Sequence, residues 1–171
     1  MATCKGEVTQ VISASPERVW AYIGDLTRHS EWNYQPHRIE KTSDGPAGPG
    51  STYRAYERMP DVGLPMKVMM AVMYTPLMLI FGAKWQTEAK VTEVESPRKL
   101  TWDAHAPKRK GDMMRAHWEL ELSPDGENTR VTERFEFMPP MRFPGPPPLA
   151  MVKQEVARNL SKLKQLVEQS R

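Results

Sequence analysis

The stretch LTWDAHAPKRKGDMMRAHWELELSPDGENTRVTERFEF, residues 100–137, decides the architecture. Leu100, Trp102, Ala104 and Ala106 alternate with Thr101, Asp103 and His105. After PKRK and Gly111 the same period returns, with Met114, Ala116, Trp118, Leu120 and Leu122 set against Arg115, His117, Glu119 and Glu121. A period of two is that of strands with one face on a core and the other in water. SPDGEN supplies the proline and glycine of a tight reversal, and RVTERFEF reads as the strand that follows it.

The same signal extends toward the N-terminus. WQTEAKVTEV places Trp85, Thr87, Ala89 and Val91 on one face, and STYRAYER and the segment from Tyr34 to about Lys41 read as further strands around the turn-rich SDGPAGPG. Glu7 to Ser13 reads as the first strand. Between these lies ASPERVWAYIGD, where Ser15 is placed to cap, Pro16 suits the first helical position and Glu17 favours the positive end of the helix. Val19, Trp20 and Ile23 form its apolar face, Gly24 and Asp25 break it, and Thr27 is placed to cap a second brief turn that Trp32 closes.

Beyond the proline-rich MPPMRFPGPPP the period changes. Leu149, Val152, Val156, Leu160, Leu163 and Val167 step by three or four, which lays one apolar stripe along a helix of about six turns. The expected fold is α+β: a strand, two short helices, six strands, and a long terminal helix covered by the inward faces of the sheet.

Composition narrows the function. The 171 residues suit one domain, 1–171. The 24 basic and 21 acidic side chains leave a net charge of +3, which predicts no steering toward nucleic acid, and PKRK reads as a solvated loop. Cys4 has no partner for an internal disulfide. The four histidines form no local metal-ligand pattern, and neither a P-loop nor a dinucleotide glycine fingerprint occurs, so no metal or other cofactor is expected. The first residues carry no signal-peptide or transit-peptide pattern, which predicts a cytoplasmic protein.

The order of elements, with ASPERVWAYIGDLTRHSEW, GSTYR after a Gly/Pro loop, VTEVESPRKLTWDA and WELELSPDGENTRVTERFEF, resembles the SRPBCC (START, Bet v 1-like) superfamily, in particular its polyketide cyclase/dehydrase and lipid-transport branch. The resemblance implies a helix-grip fold. In that fold a curved seven-stranded sheet grips the C-terminal helix around a cavity for hydrophobic ligands. It implies no reaction, because the superfamily shares no catalytic signature.

The chain departs from that pattern in an insertion at about 59–83, which contains MKVMMAVMYTPLMLIF, residues 66–81, with five methionines. The charge-free part is shorter than the roughly 20 residues a bilayer crossing needs, and Pro76 interrupts it. Three readings stay open: an extra core helix or dimer contact, a lid over the cavity mouth whose thioethers adapt to varied ligands, and peripheral contact with a membrane surface. As a lid it would present Met69, Met73, Leu77 and Phe81.

The expected cavity walls are Thr87, Ala89, Trp102, Ala104, Met114, Ala116 and Trp118, with Phe135 on the last strand, opposite Val152, Val156 and Leu160. Small alanines among tryptophans leave volume that a helix does not fill. The alternative is a tightly interdigitated core. On the last strand the alternation Val131, Glu133, Phe135, Phe137 puts a carboxylate on the apolar face, so Glu133 is expected to be protonated, paired or near water, either as a contact in the cavity or as a structural group met by a partner such as Arg54. Trp32 and Tyr53, which the resemblance brings near the cavity, offer an N–H and a hydroxyl to a ligand, or are simply core.

Three functions follow. The first is binding, carriage or sequestration of a small hydrophobic ligand by a monomer or homodimer. The second is an aromatase/cyclase or dehydrase, for which Glu133, Tyr53 and Arg54 are the available acid-base groups. The third is docking of a partner or a second copy through the insertion.

Overall fold

The computed structural model describes residues 3–57, 86–105, 115–137 and 148–170. In chain order the elements are β1 (Cys4–Ile12), α1 (Pro16–Ile23), a 3₁₀ turn (Leu26–Arg28), α2 (His29–Trp32), β2 (Pro36–Lys41), β3 (Thr52–Glu57), β4 (Gln86–Glu95), β5 (Lys99–His105), β6 (Arg115–Asp125), β7 (Asn128–Phe137) and α3 (Pro148–Gln169). The strands form one curved antiparallel sheet in the order β1-β7-β6-β5-β4-β3-β2, so the first strand closes one edge beside the last. α3 lies against β1, with α1 and α2 beside it. The sheet around a long terminal helix is what the alternation predicts, and its arrangement is the helix-grip fold that the resemblance implies.

Register explains why the two faces separate. Between β5 and β6 the inner positions pair Leu100 with Leu120, Trp102 with Trp118 and Ala104 with Ala116. The outer positions pair Lys99 with Glu121 and Asp103 with His117. Like meets like across the strands, and a slip of one residue would exchange the faces. On the outer face Arg134 reaches Glu7 at 3.3 Å and Glu119 and Glu121 at 2.6 Å each, and His117 Nδ1 lies 2.7 Å from Asp103.

In β4 the alternation breaks. A bulge after Val91 sets Val91 opposite Trp102 but Glu93 opposite Thr101 and Val94 opposite Leu100. The extra residue, Thr92, keeps both valines on the core side, which simple alternation would not do.

The helix starts differ from expectation at two caps. Ser15 precedes α1 with extended backbone, but its side chain makes no capping hydrogen bond. The 3₁₀ turn is capped by Asp25, whose Oδ1 accepts from the Thr27 N–H at 2.9 Å, so Thr27 receives the cap and does not provide it. A carboxylate is the better acceptor for an orphan N–H. At Gly24 a Cβ would stand 2.5 Å from the Trp20 indole, so the glycine is what lets that ring fold back over the end of α1.

The core is solid at one end. Ile12, Val19, Ile23, Leu100, Leu120, Val131, Leu160, Leu163 and Val167 have almost no exposed surface. Polar ties fasten the helices to this block: Thr129 Oγ1 donates to the Ala14 carbonyl at 2.7 Å, Lys164 to the Val11 carbonyl at 3.0 Å, and Arg18 to the Val167 carbonyl at 2.9 Å. Each adds a donor to a main-chain carbonyl near the end of an element.

Candidate functional site

The other end of the inner face is aromatic and less completely covered. Because Trp102, Trp118 and Phe135 are in register across β5, β6 and β7, their rings line up. Trp102 and Trp118 are nearly parallel with centroids 6.2 Å apart, Trp118 and Phe135 are 5.5 Å apart, and Phe135 and Phe137 are 6.2 Å apart. Gly6 stands opposite Phe135 on β1, and a Cβ there would lie 2.6 Å from the ring, so the missing side chain makes room for the aromatic. Trp102 and Phe135 are buried, whereas Ala104, Ala116, Trp118, Phe137 and Val152 are only partly so although they belong to the inner face and the start of α3.

Glu133 lies on the same face, two residues before Phe135. Its neighbours in register are Val8 on β1 and Leu120 on β6, and it is 3 % exposed. Its Oε2 has no hydrogen-bond partner among the described residues. Burial, reinforced by the charge of Glu155 on α3, pushes the Glu133 carboxyl up to about 8. Glu155 is itself raised to about 7, by burial and then by the charge of Glu57, with Arg158 acting in the opposite sense. Glu57, at the end of β3, is raised by burial while the Thr87 hydroxyl donates to it at 2.8 Å and the charge of His37 pulls it down. Three acids from β7, α3 and β3 thus act on one another in series.

The sequence predicted only the first of the three. Glu57 continues the inward alternation Tyr53, Ala55, and Glu155 adjoins Val156 on the helical stripe, so both signals were present. Counting apolar positions alone passes over them. Asn159 was missed in the same way. It is buried, accepts from the Tyr34 N–H at 3.1 Å and donates to Asn33 at 3.0 Å, holding the end of α2 to α3. His29 is buried as well. Its Nε2 lies 2.8 Å from the Ile23 carbonyl, its ring meets Trp32 at 4.7 Å and Trp102 at 5.4 Å, and burial lowers it to about 4.

The remaining candidates fall as follows. Tyr53 is buried on the inner face opposite Ala89, and burial, then the charge of Asp25, raises its phenol. Thr87 and Ala89 share that face, and Val156 and Leu160 are buried on α3. Arg54 is a correction: strand alternation sends it outward, where it lies 3.8 Å from Glu88, so it does not meet Glu133. Trp32 is fully buried and its indole N–H donates to the Tyr22 carbonyl at 3.3 Å, which occupies the donor a ligand would need. Met69, Met73, Leu77, Phe81 and Met114 lie outside the described residues, as does the insertion 59–83.

Among the described residues no group of acidic, histidine or cysteine side chains is arranged to hold a metal ion, and no helix is long and apolar enough to cross a membrane. An open groove of about 460 Å³ has a lining that includes Lys5, Glu7, Glu119, Arg134 and Glu136.

Comparison with solved structures agrees with the fold. Ara h 8.0201 superposes with a TM-score of 0.65 at 10 % identity over 98 % of this chain and 99 % of its own. Protein CV1439 from Chromobacterium violaceum gives 0.60 at 15 % identity over 96 % of each chain. No curated protein matches the sequence. The family model described as polyketide cyclase / dehydrase and lipid transport matches residues 3–168, almost the whole length, and the chain belongs to that family.

Proposed function

We propose that the chain, as one domain, binds a small hydrophobic molecule between the inner face of the sheet and α3 and carries or sequesters it. The observation that supports this is the row Trp102, Trp118, Phe135 and Phe137, which faces the helix yet keeps Trp118 and Phe137 only partly covered. Stacked rings left short of full burial beside small alanines offer a large apolar surface to a guest. The family description, which includes lipid transport, is consistent with this reading. Native mass spectrometry of protein purified without detergent, with uptake of the uncharged dye Nile red, tests it. Co-purifying mass and dye fluorescence are expected, and neither would appear if the interior were filled.

The buried acid Glu133 favours a second reading, a cyclase or dehydrase. A carboxyl that keeps its proton near pH 7 is a proton donor in an apolar site. Tyr53 would be its companion, and Arg54 takes no part because it faces outward. Turnover of a poly-β-ketone that vanishes in Glu133→Gln or Tyr53→Phe would establish this reading.

A further inference from the structure

Resting on the hydrophobic-ligand reading, the geometry points to a guest of defined chemistry: a hydrophobic amine whose ammonium group is seated by Glu133, with Glu155 and Glu57 behind it, while its apolar body lies along the Trp102–Trp118–Phe135–Phe137 row.

The argument starts from what surrounds Glu133. β1 and β6 present Val8 and Leu120, which offer it no hydrogen bond from a side chain. α3 presents Glu155, a like charge, and β3 adds Glu57 beyond that. Among the described residues, the cations that act on this cluster are Arg158, on Glu155, and His37, on Glu57. Oε2 of Glu133 is left buried with no partner among the described residues, an arrangement that costs free energy and persists only where something compensates for it.

Three kinds of guest differ in what they supply. A ketone accepts one hydrogen bond from one protonated carboxyl and leaves the mutual repulsion of the other two unchanged. A carboxylic acid adds a fourth acid to three. An ammonium group donates up to three hydrogen bonds and brings a positive charge that no described residue places against Glu133, so Glu133 gives up its proton as the ammonium binds, and the pair offsets both the unpaired oxygen and the like-charge repulsion from Glu155. The neighbouring rings favour the same choice, because Phe135 lies two residues from Glu133 on one strand face and Trp118 is in register with Phe135. Aromatic faces attract cations and are indifferent to neutral heads.

The test uses three naphthalene compounds that differ only in their polar group: 1-naphthylmethylamine, 1-acetonaphthone and 1-naphthoic acid, each displacing Nile red from the full chain at pH 7. The expected result is an affinity order of amine, ketone, acid, with the amine about tenfold or more ahead of the ketone, a preference that falls to about threefold or less in Glu133→Gln. Should that variant fail to fold, Glu155→Gln provides the same comparison, and the wild-type order is already decisive. A ketone equal to or tighter than the amine overturns this inference and leaves hydrophobic binding standing. An amine preference that survives undiminished in a folded Glu133→Gln, or in Glu155→Gln where Glu133→Gln does not fold, also overturns it. Failure of Nile red to enter the wild-type protein removes the underlying reading, and this inference with it.

Discussion

Glu133 on β7 stands in register with Leu120 on β6, so a carboxyl group and a leucine with no exposed surface occupy adjoining positions of one inner face. The folded protein keeps a proton on that carboxyl that the unfolded chain gives up. Between about pH 4.5 and about 8 the native state binds more protons than the unfolded state, so stability falls as pH rises across that window and the loss is complete above it. Glu133→Gln removes that carboxyl's share of the slope and leaves the shares of Glu155 and Glu57. It is expected to be more stable than the wild type at pH 8.5, by up to roughly 4 kcal/mol, and nearly equal at pH 4.5. Urea unfolding at the two pH values measures this, and a variant that is less stable at both would contradict it.

His29 works in the opposite direction. Its folded value near 4 lies below the ordinary 6.5, so the unfolded state binds the extra proton and stability falls as pH drops from about 6.5 to about 4. The full effect is up to roughly 3 kcal/mol. The ring should show no NMR titration above pH 5. A midpoint near 6.5 would mean that the buried geometry with Ile23 and Trp102 is wrong.

Arg134 gathers Glu7, Glu119 and Glu121, all on the solvent side of the sheet. Exposed pairs contribute little, because water and salt screen them. Arg134→Ala is expected to cost about 1 kcal/mol in low salt and much less at 1 M salt, as read from denaturant midpoints. A cost of several kcal/mol that ignores salt would place the network inside the core.

Gly6 and Phe135 share one volume. Gly6→Ala should push the ring off its position and cost about 1–3 kcal/mol, and the same change in a Phe135→Ala background should cost clearly less. Equal costs in the two backgrounds, measured by a double-mutant cycle, would show that the ring does not depend on the absent side chain.

The sheet was legible where each strand serves one core and one solvent face. Along the described parts of β5, β6 and β7 the alternation matches the register, including the misplaced carboxylate at 133, although Thr101 and Thr132 on the outer face are buried. It fails at Thr92, because a bulge is a local change of count that side-chain chemistry does not announce. It also fails at the caps: Ser15 is placed to cap α1 but makes no capping bond, and at the 3₁₀ turn Asp25 and Thr27 are both competent acceptors, between which only backbone geometry decides. The acid cluster was one-third legible for a different reason. Glu133 interrupts a run of apolar residues, whereas Glu57 and Glu155 sit at the margins of theirs, and their mutual influence depends on α3 crossing the sheet, a relationship that no single segment carries. Arg54 was misassigned because opposite charge suggested a partner for Glu133, while its position next to Tyr53 already put it on the other face.

The central claim is that an apolar guest lies against the rings of the inner face. The most direct measurement is the ¹H–¹⁵N spectrum of the tryptophan indoles on addition of 1-acetonaphthone. The account predicts that the signals of Trp102 and Trp118 shift in a saturable way while that of Trp20, folded over Gly24, stays where it is. Saturation with Trp102 and Trp118 unmoved would contradict it.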